Sequence, residues 1–285
     1  MRTVEHRGTI TLVRPLVHGG DERLGTELPV RTMKFLVEGR PVDIPVLSGN
    51  AIRGVLRRVA AKRWLELLYP DEKDIVNLVP DDVYYVLFSG GSLAKGAATS
   101  VVDLPLKAEI RQHVPMLSVF GSALVNMMLE GKLIVDMAIP IARETELYTG
   151  VPAEVSIYEL VGDTFYTRKD DRREANREEG QEAQQMKYEV EYLAAGTQLA
   201  HRFVLRYVDP VELACFYDAV RTFEKEYGSF GGMLRIGHGA VKWEYEPEWG
   251  DPTPYVQFVE DNREELRDWW FNVFVSKVLK SNWRL

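Results

Sequence analysis

Over residues 9–13, TITLV, apolar and polar positions alternate so that Ile10 and Leu12 share a face, which predicts a half-buried strand. A stretch rich in glycine and charge follows over 18–44 and reads as a loop. Over 50–69 the period changes: Ile52, Val55, Leu56, Val59 and Ala60 recur at helical spacing, the signature of an amphipathic helix. Residues 70–83 are turn-rich and acidic, and 108–129 are helical in character with breaks around Pro115 and Gly121. The run 132–139, KLIVDMAI, predicts a strand, and 197–208, TQLAHRFVLRYV, a longer one. Residues 210–227 predict a helix with proline at its entrance and Gly228 just past its end. A glycine-rich turn over 228–239 leads to a last strand at 240–245. After a proline-containing linker, 260–280 form an amphipathic helix carrying Trp269, Trp270, Phe271, Phe274 and Val278.

Without its insertions the chain runs strand, helix, strand, strand, helix, strand. This order predicts an α+β fold with a ferredoxin-like, or RNA-recognition-motif, core. The core domain spans 1–246, with a helical and loop insertion at about 70–107 and a protruding one at about 163–196. Residues 247–285 form a linker and a helix that packs on the core or on a neighbouring subunit, with Trp269, Trp270 and Phe274 as core or subunit-contact residues.

Composition narrows the function less than the pattern does. The 285 residues are 46% apolar and 27% charged, ordinary for a folded domain that can bury a substantial core. No apolar run is long enough to span a membrane, and the charged start MRTVEHRGTITLV lacks the apolar core of a signal peptide. The lone cysteine, Cys215, excludes an internal disulfide and a cysteine-only metal cluster. Together these features favour a reducing, cytoplasmic setting. With 35 Lys+Arg against 43 Asp+Glu, the net charge of -8 weighs against nucleic acid, although phosphates respond to local rather than total charge.

Three segments carry candidate chemistry. In SGNAIRGVLRR, 48–58, Ser48 and Asn50 are good helix caps, and Gly49 permits close approach of the backbone to a ligand. Asn50, Arg53 and Arg57 share one helix face, and Arg58 lies about 100° further round. The residues fit a phosphate cradle on a helix N-terminus, and equally a capped helix with a solvated basic face. In SFGGMLRIGHGAVKW, 229–243, Gly231, Gly232, Gly237 and Gly239 alternate with Arg235 and His238, a density suited to an anion nest or to a glycine-rich connection. It follows a helix and precedes a strand, the reverse of a dinucleotide fingerprint, and no Gly-Lys-Ser/Thr ends it as in a P-loop. In 166–198 charges of both signs alternate without apolar anchors until Met186, which describes a solvated excursion returning as a strand through Tyr188, Val190 and Tyr192.

In this order the segments resemble the RAMP superfamily of CRISPR-associated proteins, in particular the repeated backbone subunit that coats a guide RNA. The first-helix motif is matched by Ser48 to Gly54, the phenylalanine–glycine by Phe120 and Gly121 ahead of GKLIVDMAIP, and the glycine loop by Gly231 to Gly239. The charged tract is similar to the family's thumb hairpin, ending in Ala194-Ala195-Gly196. The likeness covers about residues 9 to 245, and the size and thumb suggest a type III or type IV subunit.

The resemblance implies a protein of antiviral defence that binds guide RNA without turnover, assembles with copies of itself head to tail, and presents the guide to a complementary target alongside other effector subunits. It implies no cofactor, no metal and no membrane. RNA would be held by His18, Ser48, Asn50, Arg53, Arg57, Arg58 and Phe120 on one wall, by Gly231, Gly232, Arg235, Gly237 and His238 on the other, and by thumb residues Arg168, Lys169, Arg172 and Arg173. Type III relatives cleave target RNA with an aspartate just before a Pro-Val, and here Glu27 stands near that place, with Asp21 as the other carboxylate in the loop. A carboxyl one methylene further out points to a non-cleaving subunit. Two alternatives stay open: a target-cleaving ribonuclease using Glu27 or Asp21, and a guide-processing endoribonuclease using a histidine such as His18 or His238.

Overall fold

The computed structural model describes residues 1–20, 27–93, 103–125, 127–168, 186–281 and 283. The chain opens with β1 (Arg2–Leu12), a short β2 (Glu27–Leu28) and a hairpin of β3 (Thr32–Val37) and β4 (Arg40–Pro45). The long helix α1 (Gly49–Leu68) follows, then α2 (Ile75–Leu78), α3 (Asp81–Tyr84) and a π-turn at Tyr85–Ser89. Next come β5 (Gly91–Leu93), α4 (Leu104–His113), α5 (Pro115–Phe120), β6 (Ser122–Val125), β7 (Met127–Leu129), β8 (Leu133–Val135) and β9 (Ile139–Pro140). After α6 (Glu146–Thr149), β10 (Val161–Arg168) and β11 (Met186–Leu193) form an antiparallel pair. The chain ends with β12 (Gln198–Val208), α7 (Pro210–Thr222), β13 (Val241–Glu246), α8 (Thr253–Asp261), α9 (Arg263–Trp269) and a π-helical stretch, Trp270–Val278.

The central sheet has the order β13-β1-β12-β8, with β9 also on β12, and its pairs are antiparallel. Numbered within the core alone this is the order 4-1-3-2, so the α+β, ferredoxin-like arrangement expected from periodicity is the one observed. Alternation decides which face is covered. His6, Ile10 and Leu12 of β1, Leu199, Phe203 and Leu205 of β12, and Trp243 and Tyr245 of β13 are buried together. Their neighbours on the other face, Glu5, Arg7, Arg202 and Glu244, stay accessible. α1 and α7 supply the apolar partners of the covered face: Ile52, Leu56, Trp64, Leu213, Phe216 and Val220 belong to one core with it. Asp209 caps α7 by accepting from the Glu212 N–H at 2.8 Å, and the Glu212 carboxylate accepts from the Asp209 N–H in return.

The C-terminal helices lie on this core. Trp270 and Phe274 are buried and stacked at 4.7 Å, and the Arg263 and Arg267 guanidiniums donate to the Leu67 and Leu68 carbonyls at the end of α1. Those carbonyls have no partner within their helix, so the arginines complete its C-terminus.

Two local expectations are corrected. Residues 18–44 are not only loop: β3 and β4 pair across Glu38 and Gly39, both at positive φ, +49° and +79°. That is the conformation of a tight hairpin turn, and Glu-Gly is a weaker cue for it than Asn-Gly or Asp-Gly. The helical character expected up to 129 ends at Phe120, because Gly121 leaves the helix at φ +67° and 122–125 and 127–129 become β6 and β7.

Candidate nucleic-acid interface

Ser48 is the N-cap of α1 in extended geometry, and its Oγ accepts from the Ala51 N–H at 3.3 Å. His18 completes this terminus: its Nε2 accepts from the Ser48 N–H at 3.3 Å and lies 3.2 Å from Ser48 Oγ. An accepting Nε2 puts the proton of the neutral ring on Nδ1. Gly49 is small for a reason other than ligand approach, since a Cβ there would lie 2.3 Å from the Val135 carbonyl oxygen. The residue lets α1 press against β8, which corrects the reading of Gly49 as a ligand contact.

One turn further, Arg53 and Arg57 point at the end of α5. The Arg57 guanidinium donates to the Gly121 carbonyl at 2.8 Å and the Phe120 carbonyl at 2.5 Å, and Arg53 donates to the Phe120 carbonyl. Both cations therefore satisfy carbonyls at a helix C-terminus. Burial lowers the Arg57 pKa to about 10, helped by the charge of Arg53, and burial lowers that of Arg53. Both remain cations at neutral pH, and Arg53 Nε is buried with no hydrogen-bond partner. The Arg57 expectation is corrected accordingly: at 7% exposure it is an anchor in the wall rather than a freely presented phosphate ligand. Asn50 is exposed in the first turn of the helix and Arg58 is exposed about two turns further on.

These residues line a cleft of about 890 Å³ together with His18, Tyr84, Phe88 and Gly131. Glu130 is the one carboxylate in the lining, and Lys107 holds both of its oxygens at 3.2 Å. An acidic protein thus carries a locally cationic cleft, because Arg53, Arg57 and Arg58 have no carboxylate partner among the described residues. Gly131 makes the arrangement possible: a Cβ there would fall 2.7 Å from Arg53 Nη2 and from the Phe120 carbonyl carbon.

The far wall differs from the expected one. It is built by Tyr84, the π-turn and the β6–β7 hairpin, and the glycine loop contributes only Gly231 at the rim. Phe120 is fully buried, so its ring is core, and it serves the site through its carbonyl oxygen and by lying under the Arg57 guanidinium. The close glycines of the loop face the protein itself. A Cβ on Gly231 would meet the Val17 carbonyl oxygen at 2.4 Å, and one on Gly239 the Phe230 carbonyl oxygen at 1.9 Å. Gly232 donates to the Val17 carbonyl at 2.7 Å. Gly237 faces open space, and Arg235 lies exposed between Leu234 and Ile236, outside the cleft lining. His238 Nδ1 donates to the Pro15 carbonyl at 3.2 Å while Nε2 accepts from the Tyr166 hydroxyl. Both nitrogens are engaged, Nε2 tying the glycine loop to β10 and Nδ1 to Pro15, which argues against His238 as a general acid or base.

β10 and β11 form the stem of the expected thumb, pairing from Val161↔Leu193 to Arg168↔Met186. Arg168 ends that stem, whereas Lys169, Arg172, Arg173 and Asp21 lie outside the described residues. Glu27 is exposed on β2, paired in parallel with β11 opposite Glu189, away from the cleft. On the open face of the central sheet Arg202 bonds to Asp136 at 2.7 Å and lies 3.6 Å from Glu5, while Phe203, Trp243 and Tyr245 are buried on the helix side.

No protein-family model and no curated protein matches the sequence. Among solved structures, a chain described as "Type IV-B CRISPR Complex" superposes with a TM-score of 0.63 at 22% identity, covering 86% of this chain and 91% of that chain. What the two share is the fold. Sequence reasoning had no hold on Tyr84, Phe88 or Gly131, which come from an insertion and from a turn. The one available signal was the aromatic run VYYVLF at 83–88. No helix among the described residues is long and apolar enough to cross a membrane.

Proposed function

We propose that the chain is a backbone subunit of a CRISPR effector ribonucleoprotein. It holds a guide RNA through phosphates and ribose, and it assembles head to tail along that RNA with other effector subunits, without turnover. The observation that carries the reading is the cationic cleft along α1, where Arg53, Arg57 and Arg58 pair with no carboxylate among the described residues in a chain of net charge -8. Backbone-directed cations give affinity independent of sequence, which a holder of arbitrary guides requires. The fold shared with a chain of a type IV-B CRISPR complex supports the same assignment.

The glycine loop and the thumb stem, joined through His238 and Tyr166, form a second unit suited to lie along the same strand. The test is the absorbance ratio and sizing profile of the purified full-length protein. Co-purifying RNA in oligomers of regular size is expected. A monomer free of RNA, with no affinity for single-stranded RNA at low salt, would overturn the proposal.

A further inference from the structure

Tyr84 lines the same cleft as the three arginines. Its ring stacks on Phe88 with centroids 4.6 Å apart and planes 11° from parallel. Phe88 is buried at 6% exposure and covers one face of the tyrosine, while Tyr84 itself is 37% exposed. Tyr85 stands edge-on at 6.3 Å and 80°. The backbone is fixed as well, since the Tyr84 N–H donates to the Pro80 carbonyl at 2.8 Å and the helix continues into the π-turn. The ring is therefore held in place before any ligand arrives, and little ordering entropy remains for binding to cost.

We infer that Tyr84 is a stacking platform for one unpaired base of the RNA strand whose phosphates face Arg53 and Arg58, an inference that rests on the proposed RNA-binding reading. The neighbourhood chooses this occupant. A partly exposed aromatic ring in one cleft with cations that have no carboxylate partner among the described residues matches a nucleotide, with a ring to stack and a phosphate to neutralise. Stacking on an aromatic side chain tolerates every base, in keeping with contacts that do not read sequence. On the sheet face, where this fold elsewhere offers aromatics, Arg202 is paired with Asp136 and Glu5, and Tyr84 brings a ring to the cleft from the insertion.

The test uses the full chain, a short oligoadenylate RNA carrying a fluorescent adenine analogue, and a matched abasic strand. Tyr84→Leu is expected to weaken oligoadenylate binding about tenfold with the salt dependence unchanged, and Tyr84→Phe to keep wild-type affinity and the stacking-dependent fluorescence change. Arg58→Ala should do the reverse, lowering the salt slope by about one while keeping the fluorescence change. The wild type should prefer the oligoadenylate to the abasic strand, and Tyr84→Leu should lose most of that preference. Thermal melting of each variant separates a loss of fold from a loss of stacking. If Tyr84→Leu binds as the wild type does, or keeps the full preference for bases, the inference is overturned and the groove survives. If wild-type protein binds no RNA, the groove reading falls first and the inference with it.

Discussion

Arg57 on α1 donates to the carbonyl of Gly121 at 2.8 Å, across 64 residues of sequence, and so closes the end of α5 from outside. The bond makes Arg57 part of the wall that shapes the cleft. Replacing it with alanine leaves the buried Gly121 carbonyl without its donor and empties the space of the guanidinium, and Arg57→Ala is expected to cost about 3 kcal/mol of stability. Arg58→Ala, at an exposed position, should cost less than about 0.5 kcal/mol. Urea denaturation of the two variants checks the contrast, and equal stabilities would show that Arg57 is no anchor.

Gly131 lies where any side chain would collide with Arg53 and the Phe120 backbone. Gly131→Ala is expected to destabilise by about 1–3 kcal/mol through overpacking and to weaken RNA binding by displacing the Arg53 guanidinium. A variant with wild-type melting and wild-type RNA affinity would mean that Arg53 moves aside at no cost.

Glu27 is exposed on a strand outside the cleft. Incubated with magnesium or manganese, the wild-type assembly is expected to leave a complementary RNA intact, and Glu27→Ala to bind guide RNA as the wild type does. Metal-dependent cuts at regular spacing, abolished in Glu27→Ala, would instead make this subunit a ribonuclease.

Burial depresses the His201 pKa to about 4 against hydrogen bonding and the charge of Asp136, while Nδ1 lies 2.6 Å from the Tyr245 hydroxyl and Nε2 3.0 Å from the Asp136 carbonyl oxygen. The neutral ring is the folded form. Above the unfolded value near 6.5 neither state binds the proton and the histidine imposes no penalty. Below it the unfolded chain takes up a proton that the folded one refuses, so stability falls by about 1.4 kcal/mol per pH unit, to a total of about 3 kcal/mol by pH 4. His6, lowered by burial, adds to the same trend. Denaturant midpoints between about pH 7 and 4.5 measure it, and His201→Gln should remove close to one proton from the slope. A profile equally steep in the variant would place the titration elsewhere.

The order of strands and helices was legible in the sequence because it rests on local periodicity. The alternation of Ile10 and Leu12, the helical stripe from Ile52 to Ala60, and the proline and glycine bounding 210–227 are each set by neighbours a few residues apart. The cap at Ser48 and the shared face of Asn50, Arg53 and Arg57 followed from the same rules. What each arginine does with its charge did not follow. Arg57 meets its carbonyl partners 63 and 64 residues away, His238 meets Tyr166 across 72, and no local pattern specifies such pairings. Tertiary structure alone turned Arg57 into an anchor, Phe120 into core and the loop glycines toward their own backbone. It also brought Tyr84 and Arg58 into one cleft, because only packing joins an insertion to the first helix.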